Sequence, residues 1–252
     1  MQPDPSHWRS KESYNYLEGL PPEGLAWEFL RRNTNYQRDY NTHKTERRLR
    51  DRAELTKRWG MQFLADPRNS ALDEHVYWSP KVNPAVLVIT RTPDIFESKM
   101  PLDVPNHLTR KSAGHLNAVS VIGDLPFNII FAARTRPHEP CAAVLPLDDD
   151  CLSRIEALIR FWSALHGRSL PPDTRLTSQQ RRRIRLMMQA LDGRSEGATY
   201  REIADAIYGA TRVAIDAWKT SPLRDSTIAL VRDGKAMAEG EYRQLLKHRR
   251  RR

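Results

Sequence analysis

Hydrophobic residues recur at helical spacing along the last third of the chain. Ile184, Met187, Met188 and Leu191 stand at positions i, i+3, i+4 and i+7, which predicts a helix over about 177–191. Further helices are predicted at 199–208, at 213–219 and at 221–238, with a last turn at 242–246. This third of the chain is therefore predicted to be all-α.

Capping residues indicate where two of these helices begin. Thr199 followed by Glu202 gives the capping-box pattern, and Gly209 closes that helix. Ser221 is a good N-cap, and Pro222 occupies the first turn, where its missing N–H leaves no hydrogen bond unmade. A small helix, a tight turn and a helix that carries arginine is the arrangement with which proteins enter the major groove of DNA.

The middle of the chain changes to short β-branched and aromatic runs that prolines and glycines separate. Such runs predict a small sheet of four or five strands. The predicted strands are 76–78, 85–90, 118–122, 127–131 and 142–145. His107 and His115 are expected to flank a polar loop at the surface.

An acidic run at 148–150 introduces a helix that is predicted over 151–166. The apolar stripe of this helix is predicted to contain Leu152, Ile155, Leu158, Ile159, Trp162 and Leu165. Three adjacent carboxylates could bind a metal ion. The favoured interpretation is that they cap and complement the positive end of the helix.

The first 66 residues are rich in aromatic side chains and are predicted to be helical, with Leu25, Ala26, Phe29 and Leu30 at helical spacing. The segment 168–176 contains two adjacent prolines, which cannot continue a helix, and is the best candidate for a linker. The predicted fold is α+β: N-terminal helices and a small central sheet over 1–167, the linker, and an all-α helix-turn-helix domain over 177–252.

The 252 residues and the 39% hydrophobic content suit two modest domains. No apolar run approaches the roughly 20 residues that span a bilayer, and the first residues lack the blocks of a secretory signal. A cytoplasmic protein without a membrane partner is expected. Cys141 and Cys151 are therefore predicted to be reduced thiols.

The positive charge is concentrated at the C-terminal end. Residues 171–252 contain 18 Lys and Arg against 10 Asp and Glu, a net charge of +8, whereas residues 1–170 contain 23 against 21, a net charge of +2. Such asymmetry indicates a polyanion as the partner of the C-terminal domain. A basic, solvated surface with an arginine tail is the alternative.

The predicted helix 221–238 is nominated as the recognition helix. Arg224, Asp225, Ser226 and Arg232 are predicted to face base edges, since arginine can bind guanine through two hydrogen bonds. Ten further cations are predicted to contact phosphates: Arg181, Arg182, Arg183, Arg185, Arg201, Arg212, Lys219, Lys235, Arg249 and Arg250. The alternative is that the helix presents only a solvated amphipathic face within a bundle.

Motifs for catalysis are weak throughout the chain. Asp94 and Glu97 superficially resemble a nuclease pair, but carboxylates that share a metal usually come from two strands. The histidines are scattered, the cysteines are too far apart for a zinc knuckle, and the glycines 193 and 197 lack the lysine of a phosphate loop. No catalytic residue, metal ligand or cofactor is predicted.

The chain resembles bacterial transcriptional activators of the FseA and RovC type. The N-terminal resemblance rests on Trp8-Arg9, Tyr14, Tyr16, the segment 26–33, Tyr36, Trp59-Gly60, Asp66-Pro67, Trp78 and 83–86. The C-terminal resemblance rests on Gln180-Arg181, 190–193, 197–204, 207–209, Trp218, 223–225, Leu230, Gly234 and 242–246. Nearly the whole chain is covered.

The resemblance implies an N-terminal regulator-like domain that oligomerises and a C-terminal helix-turn-helix domain. It implies an activator that works with RNA polymerase on double-stranded promoter DNA of secretion or mobile-element genes. A homo-oligomer, a dimer or higher with a hexamer possible, is expected because a single short reading helix buries little surface. Two alternatives stay open: a protein–protein adaptor or antiactivator that docks another regulator, and a non-specific binder driven by the tail 248–252.

Overall fold

A computed structural model describes residues 5–45, 49–97, 100–105, 107–112 and 114–247. The chain divides into two compact units that interleave along the sequence. The helical unit consists of Met1–Arg38, Asp66–Glu74 and Thr174–Leu245, and the sheet unit consists of Asp39–Ala65, His75–Asp173 and Leu246–Arg252. The predicted division into 1–167, 168–176 and 177–252 follows chain order and stays a prediction.

The described residues combine helices and a sheet, which confirms the predicted α+β class. The α-helices are α1 (Tyr16–Gly19), α2 (Pro22–Leu30), α3 (Thr34–Thr45), α4 (Leu49–Trp59), α5 (Cys151–Leu165), α6 (Ser178–Ser195), α7 (Tyr200–Tyr208), α8 (Ala210–Val213) and α9 (Pro222–Glu239). The strands are β1 (Leu87–Arg91), β2 (His107–Ser112), β3 (His115–Ile122), β4 (Leu125–Phe131) and β5 (Cys141–Ala143). Short 3-10 helices lie at Pro5–His7, Glu12–Tyr14, Asp94–Phe96, Trp218–Thr220 and Glu241–Leu246.

The described part of the sheet unit forms a five-stranded sheet with the order β2-β3-β4-β1-β5. Strand β1 runs parallel to β4, and the other neighbouring pairs are antiparallel. Helix α5 packs on this sheet through Phe161, which is 3% exposed and meets Phe127 edge to face with ring centroids 5.5 Å apart. Leu87, Ile129 and Phe131 belong to the same buried cluster.

The strand predictions hold where hydrophobic residues alternate or cluster, and they are wrong in two places. The run 76–78 contributes only a single bridge, between Met61 and Trp78. The sequence predicts a polar loop between His107 and His115, but His107 begins strand β2 and His115 begins strand β3. The sequence of β2 lacks the hydrophobic pattern of a strand with a buried face, because β2 lies at the sheet edge and its residues from Leu108 to Lys111 are exposed.

Helix α5 forms at the predicted position, but its predicted apolar stripe is wrong. Leu158 and Leu165 pack with Phe161 against the sheet. Leu152, Ile155, Ile159 and Trp162 are on another face and are 75%, 36%, 48% and 43% exposed. The helix carries apolar residues on two faces, and spacing alone does not tell which of them meets the sheet.

The acidic run before α5 makes ion pairs more than it caps the helix. Asp148 accepts hydrogen bonds from Arg154 and from the backbone N–H of Asp150, and Asp150 pairs with Lys247 at 3.0 Å. Asp150 is the N-cap residue, yet within the described structure its side chain makes no capping hydrogen bond. The predicted capping role is therefore corrected to one of local ion pairing.

The helical unit is built around α6, α7 and α9. The predicted capping box at the start of α7 is confirmed, since Thr199 accepts from the backbone of Glu202, whose carboxylate accepts from the backbone of Thr199. The predicted third helix at 213–219 is wrong in its bounds, because α8 restarts directly after Gly209. The φ of +92° at that glycine permits this sharp change of direction.

A buried charge network joins the N-terminal helices to α6. The Nε and Nη2 atoms of Arg32 donate to the carboxylate of Asp192 at 2.6 and 2.9 Å, and its Nη1 donates to Glu28 at 2.6 Å. Tyr14 donates its hydroxyl proton to Asp192 at 2.8 Å, and Arg31 donates to Glu28 at 2.7 Å. Both carboxylates are thus fully paired in a water-poor interior.

Two pKa shifts show how strongly this network is coupled. Burial would raise the pKa of Glu28, but Arg32, Arg31 and the backbone N–H of Ala71 together lower it below its ordinary value. Burial, followed by the charge of Asp192, raises the pKa of Tyr14. Glu28 therefore stays ionised and Tyr14 stays a proton donor at neutral pH.

Replacing Asp192 by Asn is expected to lower the free energy of unfolding by about 3–5 kcal/mol, because Arg32 would lose one of its two carboxylate partners and the buried network would keep an uncompensated positive charge. Urea unfolding followed by circular dichroism measures the loss. The control is Glu239→Gln, which breaks an exposed pair with Lys235 and should cost less than about 1 kcal/mol. Equal effects of the two substitutions would contradict the role given to the buried network.

Gly234 lets α9 approach α6 closely. A Cβ at this position would lie 2.7 Å from the carbonyl oxygen of Met187, which is too close for any side chain. Gly234→Ala is expected to destabilise the fold by about 1–3 kcal/mol, as overpacking does. Gly19→Ala is the control, since a Cβ there meets nothing within 4 Å, and thermal unfolding should rank it at or above the wild type.

Candidate nucleic-acid interface

Helix α9 has one buried and one exposed face. Ser221 accepts from the backbone of Leu223 and caps the helix, as predicted. Thr227 is fully buried and donates its hydroxyl to the carbonyl of Leu223 at 2.7 Å, and Leu230 is 3% exposed. These residues fix which side of α9 faces solvent.

The predicted base-reading residues lie on the exposed face. Asp225, Ser226 and Arg232 are exposed, and Arg224 is partly exposed with its Nη1 atom 3.4 Å from the carboxylate of Asp225. The side chain of Arg232 is 74% exposed. Three of these four side chains are therefore exposed to solvent, and the fourth is partly exposed.

Asp233 joins two of the predicted contact residues. Its carboxylate accepts from Arg183 of α6 at 2.6 Å and from Nε of Arg232 at 2.9 Å. Partial burial would raise the pKa of Asp233, but Arg183 and Arg232 lower it below its ordinary value. The carboxylate of Asp233 thus holds Arg183, a predicted phosphate contact, beside Arg232, a predicted base contact.

Tyr208, at the end of α7, is a member of this surface that sequence reasoning missed. Burial raises its pKa, while Thr227 and Ser226 as hydrogen-bond partners and the charges of Arg183 and Arg212 lower it in part. Its hydroxyl therefore lies where α6, α7 and α9 meet. The sequence signal for Tyr208 was its position directly after Ile207 at the end of the helix. An aromatic residue at such a position usually indicates packing, so the signal was weak.

Helical spacing predicts that Tyr200, at the start of α7, faces inward with Ile203, Ala204 and Ile207, and those three residues are buried. Tyr200 is 36% exposed, and the guanidinium carbon of Arg194 lies 5.0 Å from the centre of its ring. The arginine covers the ring, so the aromatic residue tolerates the surface.

Apart from Arg183, which pairs with Asp233, the predicted phosphate contacts fall into three groups. Five are exposed: Arg182 on α6, Arg201 on α7, Arg212 on α8, Lys219 on the 3-10 helix before α9, and Lys235 on α9 beside Glu239. Arg181 and Arg185 instead hold N-terminal segments, since Arg181 donates to the carbonyl of Leu20 at 2.7 Å and Arg185 pairs with Glu18 at 2.8 Å. Arg249 and Arg250 lie outside the described residues.

These contacts make a surface that suits a polyanion better than a small molecule. Exposed cations come from several consecutive elements, and a row of cations is what contacts to a phosphate backbone require. Within the described part of the chain, no group of three or more His, Cys, Asp and Glu side chains is placed to hold a metal ion. The predicted roles of individual residues at DNA stay predictions.

Two family models match the chain. One is described as "T6SS, Transcription factor, DNA binding domain" and matches residues 144–247. The other is described as "Proteobacterial transcriptional regulator-like domain" and matches residues 7–64. The chain is a DNA-binding transcription factor.

The two matches confirm the resemblance, with the regulator-like region first and the DNA-binding region second. The DNA-binding match begins before α5, so it includes that helix as well as α6 to α9. Both families are described as transcription regulators. No curated protein matches the transcription factor, and none of its described helices is long and apolar enough to cross a membrane.

Replacing Asp233 by Asn is expected to tighten the binding of any DNA duplex, because one anion fewer competes for Arg183 and Arg232. The logarithmic salt dependence of binding should steepen by about one phosphate contact. Fluorescence anisotropy of a random-sequence duplex at several salt concentrations measures both effects.

The control is Asp94→Asn, which removes the same charge from the sheet unit, where Asp94 pairs with Arg91 and neither residue is a predicted DNA contact. It should change binding less than Asp233→Asn does. Weaker binding by a folded Asp233→Asn protein would show that Asp233 does not restrain the two arginines.

Proposed function

We propose that this transcription factor is a sequence-specific activator that reads promoter DNA with α9. In this proposal α7, the turn that contains α8, and α9 form a helix-turn-helix, with α9 in the major groove. The observation that carries the proposal is the accessible face of α9, where Arg232 is exposed and shares the carboxylate of Asp233 with Arg183 of α6. The DNA-binding family match supports the same location.

The base-reading residues in this proposal are Arg224, Asp225, Ser226 and Arg232. In this proposal Arg182, Arg201, Arg212, Lys219 and Lys235 contact phosphates, because they are exposed cations of α9 and of the elements that precede it from α6 onward. Arg183 reaches a phosphate when DNA replaces Asp233 as its partner. Arg181 and Arg185 are weaker candidates, since each already binds the N-terminal segments.

The partners of the activator follow from the resemblance and from the size of its reading surface. One reading helix covers a single half-site, so the protein acts as a homo-oligomer, a dimer or higher, in the cytoplasm. It contacts RNA polymerase at promoters of type VI secretion or mobile-element genes. The family description, which names a T6SS transcription factor, supports the first class of promoter.

Two matched substitutions test the reading role of α9 after a preferred site has been selected from random DNA. Arg232→Ala should reduce the preference for that site over a scrambled duplex by about 1–3 kcal/mol. Arg182→Ala should weaken binding to both duplexes alike and reduce the salt slope by about 1. Electrophoretic mobility shift over a salt series provides both values.

The alternatives give different results in the same experiment. A protein–protein adaptor would show no preferred site, and Arg232→Ala would leave its activity unchanged. A non-specific binder would lose equal affinity for both duplexes with either substitution. Retention of full site preference by a folded double variant, Arg224→Ala with Arg232→Ala, would overturn the assignment of α9 as the reading helix.

A further inference from the structure

Helix α5 carries an exposed apolar stripe that its own unit does not use. The stripe consists of Leu152, Ile155, Ile159 and Trp162, with exposed fractions of 75%, 36%, 48% and 43%. These residues follow one another at intervals of three, four and three positions, which is the spacing of the a and d positions of paired helices. Isolated apolar residues at a surface are common, but a continuous stripe indicates a contact.

The opposite side of α5 is already satisfied. Phe161 is buried on the sheet, and Ala157, Leu158 and Leu165 pack around it. A helix that is apolar on both sides is typical of one that is covered on both sides. The stripe is therefore the side of α5 that the described residues of this unit leave largely exposed.

The residues that follow α5 contact only the end of the stripe. Arg160, which is not a residue of the stripe, donates to the carbonyl of Pro171. The ring of Trp162 stacks with the ring of His166, with centroids 4.4 Å apart, and the guanidinium carbon of Arg168 lies 4.4 Å from the centre of the Trp162 ring. The stripe thus ends in a cation.

The two ends of α5 differ in charge. The acidic run 148–150 precedes the helix and carries three carboxylates against the two cations paired with it, Arg154 and Lys247, which leaves a net charge of −1, and Arg168 follows the helix. If two copies of α5 pair in antiparallel orientation, the acidic start of each lies beside the Arg168 end of the other. The two helix dipoles then point in opposite directions, and their interaction is favourable. A parallel pair would place Arg168 beside Arg168.

We infer that the α5 stripe binds the α5 stripe of a second copy of this chain, in antiparallel orientation about a two-fold axis. The spacing is self-complementary in that orientation: Leu152 of each copy faces Trp162 of the other, and Ile155 of each faces Ile159 of the other. Knobs-into-holes packing of this kind buries all four side chains of each copy. The inference rests on the self-association in the proposed function and gives it a surface.

The first test is the mass of the full-length protein in solution. Ile159→Asp places a charge in the middle of the stripe, and Ile95→Asp places the same charge on another exposed isoleucine of the sheet unit, 84% exposed. Light scattering should give the wild type and Ile95→Asp the same multiple of 29.2 kDa, and Ile159→Asp a smaller one. Circular dichroism checks that each variant is folded.

A folded Ile159→Asp protein with the wild-type mass would overturn the inference, as would a monomeric wild type. In either case the stripe does not pair with the stripe of a second copy. Neither result would bear on DNA reading by α9.

The second test is the orientation, by disulfide cross-linking in a Cys141→Ser, Cys151→Ser background. The double variant Leu152→Cys, Trp162→Cys should give a covalent dimer under mild oxidation, because residue 152 of one copy lies beside residue 162 of the other. Each single variant should stay uncross-linked. A dimer formed by Leu152→Cys alone would show parallel pairing and contradict the antiparallel arrangement, and so would a double variant that fails to cross-link.

DNA binding separates this inference from the proposed function. Ile159→Asp should lose about 100-fold or more in affinity for an operator with two half-sites, since it loses the second binding event. Its affinity for a single half-site should stay at the wild-type value and should still depend on Arg232. If the wild type oligomerises through α5 but shows no site preference, the proposed function fails while the interface stands.

Discussion

The structure of the helical unit depends on one requirement: the charge of Arg32 and those of Asp192 and Glu28 must be paired where water cannot reach them. Arg32 and Asp192 are 160 residues apart in the chain and meet at 2.6 Å. Removing either partner leaves a buried charge, and the cost of this exceeds anything that a surface pair contributes. The N-terminal helices and α6 are therefore parts of one folding unit.

This requirement extends to the helix proposed to read DNA. Helix α6, which carries Asp192, lies against α9 so closely that only a glycine fits at position 234. Asn33, one residue after Arg32, donates to the carbonyl of Ala238 near the end of α9 at 2.9 Å. Groups of the N-terminal segment thus bind α9 and help to fix the orientation of its exposed face.

Much of the fold could be predicted from the sequence, because helix caps and apolar spacing are local signals. The start of α7 at Thr199 and that of α9 at Ser221 are examples, and the accessible position of Arg232 follows from the same periodicity. Contacts between distant residues could not be predicted: Arg181 and Arg185 resemble the other arginines of α6, yet they bind the N-terminal segments. Strand β2 and the inward face of α5 also depend on neighbours that the local pattern does not reveal.

The hydrogen bond from Asn33 to Ala238 has a practical consequence for dissecting the protein. A fragment cut at the proline-rich segment before α6 would contain every residue proposed to touch DNA. It would also expose the hydrophobic back of its helices and leave Asp192 without Arg32 and Tyr14. A minimal duplex-binding piece therefore has to be assembled from both ends of the polypeptide, for instance by circular permutation or by co-expression of the two segments.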